Sequence, residues 1–172
     1  GSPYPDFYYG MTNRFSYDRI SLNVSLQGSY GNEILNLSRA SINTGRGRYR
    51  QLAMNNNYWK SEQDPGDGYT QRPNDAPTGN LRGTYSQYWL DDGSFLRNNN
   101  ISLGYQLPDQ WAQKAKLSSL RFYINAINPF LFTKYTAFNP DVSNSDNALT
   151  PGNELNNYPL PKTILFGLTA GF

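Results

Sequence analysis

Hydrophobic residues alternate with polar ones along five stretches of the chain, with a period of two residues. Such alternation predicts β-strands with one apolar and one polar face, and helical spacing is hard to find. Each predicted strand is about 11 residues long, longer than the five or six residues usual in globular sheets. The five predicted strands are residues 7–17, 20–30, 95–107, 120–130 and 162–172.

The apolar positions change parity between the first two predicted strands. They are odd-numbered up to Tyr17 and even-numbered from Ile20 onwards. A two-residue turn at Asp18 and Arg19 would pair Tyr17 with Ile20 and place both apolar sets on one face. Aspartate tolerates the left-handed conformation that such a turn needs, whereas arginine suits it less well. The parity change therefore predicts a tight hairpin.

The predicted strands are joined alternately by short and long connections. Segments 18–19 and 108–119 are short, whereas 31–94 and 131–160 are long, polar and rich in Asn, Gly, Pro and Tyr. Short turns at one end of a sheet and long loops at the other are typical of outer-membrane β-barrels, whose short turns face the periplasm. Compact soluble domains rarely contain structureless loops of this length. The pattern favours a barrel with two long extracellular loops.

Aromatic residues recur ten positions apart on the predicted apolar face. Phe7 and Tyr17 form one such pair, and Phe95 and Tyr105 form another. Ten residues at a tilt of roughly 40° rise about 25 Å, which is the height of a barrel's apolar band. A soluble β-sandwich that buries this face is the alternative. It explains the alternation, but not the strand length, the loop asymmetry or the aromatic spacing.

Composition excludes several classes of chemistry. The 172 residues include no Cys and no His, which excludes disulfides, thiol nucleophiles, zinc–thiolate sites and Ser-His-Asp triads. The net charge of +2, without any Lys/Arg run, does not indicate nucleic-acid binding. No stretch is apolar for long enough to form a transmembrane helix. We predict no cofactor and no metal.

Candidate contact residues lie in the long loops. Exposed Tyr and Trp side chains can stack on sugar rings or press against a partner protein. They can equally buttress a loop or belong to the outer aromatic belt of a barrel. The candidates for ligand or lid contact are Tyr58, Trp59, Tyr85, Tyr88 and Trp89.

Acidic residues in the loops indicate little chemistry. Asp64, Asp67 and Asp75 carry enough oxygens for calcium, but their spacing fits no EF-hand and favours turn formation. Asp91 or Asp92 could join Glu33 or Glu62 in a glycosidase pair, but nothing in the sequence brings two of these carboxylates together. We therefore predict a protein that is not an enzyme.

Arginines lie within three of the predicted strands. Arg14 is on the polar face, where it would line a water-filled lumen. Arg97 has the parity of the apolar face, where a charge at the bilayer midplane would cost about 2–4 kcal/mol. Arg97 therefore lies near or above the outer interface, or a β-bulge resets the parity of its strand. Pro129 predicts that the fourth strand ends or bulges near it, because proline cannot donate to the ladder. Arg121 lies near the periplasmic rim.

The last predicted strand ends in an aromatic residue. A terminal aromatic that closes an alternating strand resembles the signal by which bacterial outer-membrane proteins are handed to their insertion machinery. The residues of this predicted signal are Ile164, Phe166, Leu168, Ala170 and Phe172.

Several segments together resemble the C-terminal barrel of SusC/RagA-type TonB-linked outer-membrane transporters. Residues 1–10 resemble the family's G-N-P-x-P-D-F-x-x-G segment, and residues 26–32 resemble its Q-G-S-x-G-N segment. The most specific match is residues 89–108, which resemble the family's D-G-S-Y-L-R-L-K-N-I-S-L-G-Y-x-L-P segment. A further match is Asn139-Pro140-Asp141. The chain departs from the family at Asn98-Asn99, where L-K is usual.

The resemblance implies a fold and partners that the residues alone do not indicate. Such transporters close a barrel of roughly 22 strands around an N-terminal plug. They import oligosaccharides or peptides with energy relayed by TonB, and a SusD-like surface lipoprotein acts as their lid. The implied partners are the rest of the transporter, that lipoprotein, TonB and outer-membrane lipid. The expected fold is an all-β transmembrane antiparallel barrel segment of about five long strands in the outer membrane.

The sequence leaves both the origin of the chain and its function open. Five strands cannot close a barrel, and unpaired edges are not viable in lipid, so another polypeptide segment must complete the sheet. On the predicted topology residues 1–6 lie outside the cell. The chain would then be either the product of cleavage in an extracellular loop or a segment of an intact longer chain. The alternative function is a soluble or surface β-sandwich that binds glycans, and a passive porin wall is a third.

Overall fold

Eight strands form two sheets, and two short α-helices and two 3₁₀ turns (Ala53–Asn56 and Gln87–Trp89) accompany them, in the described part of the chain, which comprises residues 1–42, 53–68, 70, 87–142, 151–154 and 157–172 of a computed structural model. The helices are α1 (Leu37–Ile42) and α2 (Asp109–Lys114). The strands are β1 (Phe7–Tyr17), β2 (Ile20–Tyr30), β3 (Glu33–Asn36), β4 (Leu90–Asp92), β5 (Phe95–Gln106), β6 (Ser119–Thr133), β7 (Asn153–Glu154) and β8 (Thr163–Gly171).

The five long strands form one antiparallel sheet in the order β1-β2-β5-β6-β8, which we call the wall sheet. These are the five strands that the alternation predicts, so the predicted all-β architecture is confirmed. The boundaries differ slightly at β6, which continues to Thr133. Residues 131–133 therefore belong to the strand and not to the predicted loop.

The hairpin between β1 and β2 has the predicted two-residue turn. Tyr17 pairs with Ile20 and Phe15 pairs with Leu22, so the apolar residues of both strands share one face. Asp18 has a φ of 49°, in the left-handed region that aspartate tolerates. The parity change is therefore explained by the turn.

A β-bulge interrupts β5 in the middle of the strand. Ser25 pairs with Asn100 and Leu26 pairs with Asn98, so Asn99 is an extra residue. On the other side of β5, Asn98 pairs with Phe130 and Asn100 pairs with Ile127, so Asn128 and Pro129 of β6 lie at the level of the bulge. Asn128 has a φ of 50°. An extra residue in a strand moves each side chain beyond it to the face opposite the one that simple alternation predicts.

The bulge corrects one prediction and confirms two others. Phe95 pairs with Ser29 on the polar face, whereas Tyr105 pairs with Ile20 on the apolar face. The predicted shared face for Phe95 and Tyr105 is therefore wrong. The same bulge moves Arg97 to the polar face, which confirms the predicted alternative that a β-bulge resets the parity of its strand. A bulge near Pro129 was also predicted and is confirmed.

The apolar face of the wall sheet is uncovered in the part of the chain that the structure describes. Phe15, Ile124 and Phe166 are 59%, 43% and 77% exposed, although they occupy the centre of a sheet face. A β-sandwich would bury these side chains, which is the opposite of what is seen. Further exposed members of this face are Phe7, Met11, Tyr17, Ile20, Leu103, Tyr105, Phe122, Phe130, Phe132, Ile164 and Leu168.

The two long connections meet in a second sheet, which we call the loop sheet. Its order is β4-β3-β7, with β3 and β4 antiparallel and β3 and β7 parallel. Ile34 in its central strand is fully buried. Residues 31–94 and 131–160 are therefore not structureless throughout, and their described parts are folded against each other.

The connection between β5 and β6 contains the short helix α2. Its C-terminal end is closed by hydrogen bonds from the backbone N–H groups of Ala115 and Leu117 to the Ala112 carbonyl. Ala112 is fully buried beneath this turn. Neither helix in the described segments has the length and hydrophobicity needed to cross a membrane.

Gly28 is required by a close approach between neighbouring strands. A Cβ at this position would lie 2.2 Å from the Phe95 carbonyl oxygen and 2.5 Å from the Tyr9 ring. We expect Gly28→Ala to lower the free energy of unfolding by about 1–3 kcal/mol, since the strands would have to separate. Urea unfolding of the protein, followed by the shift between folded and unfolded gel bands, measures this.

Gly10→Ala is the matched control, because the nearest atom to its Cβ would be the Leu26 carbonyl oxygen at 3.6 Å. We expect this variant to unfold like the parent protein. Equal destabilisation by both substitutions would show that the close approach at Gly28 is not the cause.

Candidate functional site

A buried ion pair joins the loop segments at the loop sheet. Arg39 Nη1 lies 2.9 Å from Asp91 Oδ1, and the two side chains are 14% and 6% exposed. The second oxygen of Asp91 accepts hydrogen bonds from the Asn36 amide and from the Thr136 hydroxyl. Asn36, Asp91 and Thr136 come from three separate segments, so one carboxylate connects both long loops.

Arg39 also organises two of the predicted contact aromatics. Its guanidinium carbon lies 5.6 Å from the Tyr88 ring centre and 5.7 Å from the Trp89 ring centre, within the range of cation–π attraction. It donates a further hydrogen bond to the Tyr88 carbonyl. Trp89 is only 3% exposed. This geometry favours the buttressing alternative for Tyr88 and Trp89 over contact with a ligand or lid.

A second buried carboxylate lies in the same region. Glu154 is 1% exposed, and its Oε1 accepts hydrogen bonds of 2.9 Å from the Ser38 hydroxyl and the Asn157 N–H. Burial, together with the neighbouring Glu154 and Asp91 carboxylates, raises the pKa of Tyr135 well above its ordinary value. Tyr135 therefore keeps its phenolic proton at physiological pH.

Asp91 and Asp92 do not form a catalytic pair. The Asp91 carboxylate is buried and occupied by Arg39 and Thr136. The Asp92 side chain accepts a 2.9 Å hydrogen bond from the Ser94 N–H at the surface, and hydrogen bonding to Ser94 lowers its pKa. Both carboxylates therefore hold loop structure together.

The bulge in β5 lets the wall sheet hold a loop segment over its polar face. Arg97 is 4% exposed; Nη1 lies 3.2 Å from Asp141 Oδ2, and Nη2 donates to Asn139 Oδ1 over 2.5 Å. The Arg97 guanidinium also lies 5.0 Å from the Phe95 ring centre. Sequence reasoning offered the bulge that turns Arg97 round, but it did not indicate this tether.

An open cavity of ≈ 350 Å³ lies at the end of the polar face beside this tether. Four aromatic side chains line it, namely Tyr4, Tyr8, Tyr9 and Phe95, and Tyr8 is 76% exposed. Its polar lining includes Gln27, Asn32 and Asp141, and several prolines complete the wall. Aromatic rings with a few amide and carboxylate groups suit oligomers that carry both apolar and hydrogen-bonding surfaces.

The remaining loop candidates lie apart from this cavity or outside the described residues. Trp59 is 53% exposed, and Lys60 bonds Asp64 at 2.8 Å while lying 5.6 Å from the Tyr58 ring centre. Asp67 accepts two 2.6 Å hydrogen bonds from Thr70, as a turn residue does. No metal-binding group of acidic side chains occurs within the described ranges. Tyr85 and Asp75 lie outside them.

The predicted lumen residue and insertion signal lie on the expected faces. Arg14 is exposed on the polar face, opposite Asn23. Ile164, Phe166 and Leu168 pair with apolar partners on the other face, and all three are exposed. Phe172 is 99% exposed. Their roles in a lumen and in membrane insertion stay predictions.

The chain is similar over its whole length to TonB-dependent receptors. It is 31% identical to TonB-dependent receptor P3 of Formosa agariphila, with 100% of the chain aligned. It is 28% identical to TonB-dependent receptor SusC of Bacteroides thetaiotaomicron, with 99% aligned. The chain spans only 17% and 15% of the length of these relatives. No protein-family model matches it.

Solved transporter structures contain the same fold. The RagAB peptide transporter superposes with a TM-score of 0.75 and 23% identity, covering 99% of this chain and 18% of the solved chain. The RagAB peptide importer in its 'closed-closed' state gives a TM-score of 0.72 at the same identity and coverage. The fold of the present chain is therefore found as a small part of a much longer chain.

The Asp91 carboxylate gives a test of the loop connection. Asp91→Asn would leave Arg39 buried without its counter-charge, and we expect this to destabilise the loop sheet by about 3–5 kcal/mol. The wall sheet has its own hydrogen-bond ladder and should stay folded. Hydrogen–deuterium exchange should therefore accelerate in peptides from β3 and β4 and stay unchanged in peptides from β2 and β6.

Asp92→Asn is the matched control for this variant. Its side chain is exposed, and an asparagine oxygen can still accept the Ser94 N–H. We expect exchange in the loop sheet to change little. If Asp91→Asn left the exchange of β3 and β4 as slow as before, the ion pair would not be what joins the loops.

Proposed function

We propose that this chain, which belongs to the SusC/RagA-type TonB-dependent receptors, forms part of the barrel wall of an outer-membrane importer of oligosaccharides or peptides. The observation that carries the proposal is the division of the wall sheet into an exposed apolar face and a polar face. Long strands with this division suit a wall between lipid and a water-filled lumen. The proposed function is transport and involves no catalysis.

The edges of the wall sheet support placement in a larger barrel. β1 and β8 each have a neighbour on one side only in the described sheet. Within hydrocarbon, the backbone groups of an open edge would cost several kcal/mol each. Further strands of the same transporter would pair with both edges and close the barrel around its plug.

The two ends of the wall sheet support an orientation in the membrane. The tight turn at Asp18 and the α2 turn lie at one end, which we assign to the periplasm. The loop sheet lies at the other end, which we assign to the cell exterior. Residues at the start of the chain pack there too, since the Ser2 carbonyl accepts a hydrogen bond from the Glu33 N–H.

The outer end is also where we place the SusD-like lipoprotein. Exposed aromatic side chains in the outer segments, such as Trp59, Phe138 and Tyr158, offer amphipathic contact surface at 53%, 67% and 88% exposure. TonB would act on a region of the transporter outside this chain. These partners rest on the resemblance to whole transporters.

Neighbouring residues of β8 test which face contacts lipid. Phe166 lies on the apolar face and Leu165 on the polar face, and both are exposed. We expect Phe166→Arg to destabilise the inserted full-length protein by about 2–4 kcal/mol, because its charge would lie in hydrocarbon. Leu165→Arg, with its charge in the lumen, should be tolerated. Folding titrations into phosphatidylcholine vesicles measure both variants.

Membrane fractionation of cells that express the full-length protein accompanies this comparison. The protein should enter the detergent-soluble outer-membrane fraction. A folded monomer in aqueous buffer, or equal effects of the two arginines, would contradict the proposed wall and favour the soluble β-sandwich.

A further inference from the structure

The charged residues within the wall strands are all positive and all on one face. The five strands contain three arginines and no aspartate or glutamate. The register places Arg14, Arg97 and Arg121 on the polar face, in line with Asn23, Gln27 and Thr169 respectively. The polar face of this segment is therefore cationic in its own right.

Of these three arginines, only Arg97 has an acidic partner among the residues that the structure describes. Arg97 is paired with Asp141, as described above. Arg14 is exposed and has no acidic partner among the residues that the structure describes. Arg121 is also exposed; its Nη2 donates to the neutral Ser21 hydroxyl over 2.8 Å. Two positive charges are thus uncompensated towards the short-turn end of the face.

Arg121 is directed towards Arg14 by a gap in the sheet surface. A Cβ on Gly104 would lie 2.5 Å from Arg121 Nη2, so the guanidinium crosses β5 through the space that this glycine leaves. It reaches Ser21 on β2, two residues from Asn23, which pairs with Arg14. We call Arg14 and Arg121 the arginine pair. Two guanidinium groups on one face, without an acidic partner in the described part of the chain, attract anions and can each bind a carboxylate through two N–H groups.

Unsatisfied acceptors lie beside the arginine pair. The side-chain oxygens of Asn23, Asn100 and Asn125 are buried and have no hydrogen-bond partner within the described part of the chain. Asn23 and Asn125 both pair with Ser102, and Asn100 pairs with the adjacent Ser25. Buried acceptors are nearly always satisfied by protein or by ordered water, so donors from outside the described residues, water included, are expected here.

We propose that the arginine pair forms a subsite for a carboxylate-bearing oligomer on its way through the lumen. The exposed guanidinium groups of Arg14 and Arg121 bind the carboxylates of such an oligomer. This rests on the proposed importer function. Acidic oligosaccharides and acidic peptides share this chemistry, and the experiment below separates them.

Binding to the purified full-length transporter in detergent tests the subsite. The probes are trigalacturonate and triglutamate, with maltotriose and triserine as their neutral counterparts. We expect one acidic probe to bind more tightly than its neutral counterpart, with an affinity that falls as NaCl rises from 50 to 500 mM. Which acidic probe binds identifies the source of the carboxylate.

Charge removal at the arginine pair provides the decisive comparison. Arg14→Gln combined with Arg121→Gln should weaken binding of the acidic probe by about ten-fold or more, and leave any binding of the neutral probes unchanged. Arg14→Lys with Arg121→Lys should retain part of the preference, because the charge is kept. Arg19→Gln is the control for each single variant, Arg14→Gln or Arg121→Gln, since it also removes one positive charge, but from the Asp18–Arg19 turn, where Arg19 lies 4.0 Å from Asp18.

Several results would overturn the subsite. Equal affinity for acidic and neutral probes, or an equal loss in Arg19→Gln, would do so and leave the importer intact. If the Gln pair lowered thermal stability without changing binding, the arginines would instead pair with carboxylates elsewhere in the transporter. Conversely, the protein could prefer acidic over neutral probes and yet be absent from the outer membrane. That result would contradict the importer function but support the subsite.

Discussion

Backbone hydrogen bonding across the wall sheet is the constraint on which the other features depend. Each inner strand is paired on both sides, while β1 and β8 each have one neighbour. A sheet that is paired in this way must direct successive side chains to opposite faces, so its sequence separates apolar from polar positions. In the proposed barrel, the same pairing would keep the backbone satisfied where no water is present, and further strands would have to pair with both edges.

The wall sheet was largely predictable because strand periodicity depends only on the pleat. The change of parity between Tyr17 and Ile20 predicted the hairpin, and Asp18 adopts the left-handed conformation that this turn needs. The arrangement of charged side chains on the polar face was less predictable from the sequence. The position of Arg14 followed from alternation alone, whereas the path of Arg121 across Gly104 depends on the register of three strands.

The loop sheet and the bulge were not predictable in the same way. β3, β4 and β7 have two to four residues each, too few to show a period, and they pair over long sequence distances. The burial of Trp89 follows from its packing near Arg39, which no local pattern indicates. Asn98, Asn99 and Asn100 are all polar, so alternation cannot show which of them is extra. The signals for a bulge were indirect, namely the unsuitable parity of Arg97 and the proline at 129.

The bulge determines how charge is distributed along the polar face. Without the extra residue, Arg97 would lie on the apolar face and could not reach Asn139 and Asp141. With it, the outer arginine is neutralised by a loop that it also holds in place. Arg14 and Arg121 have no acidic partner in the described part of the chain, so the unpaired positive charge lies towards the short turns. In the proposed subsite, an anionic oligomer would be attracted to that end of the face, and one inserted residue both anchors the loop and sets which arginine is paired.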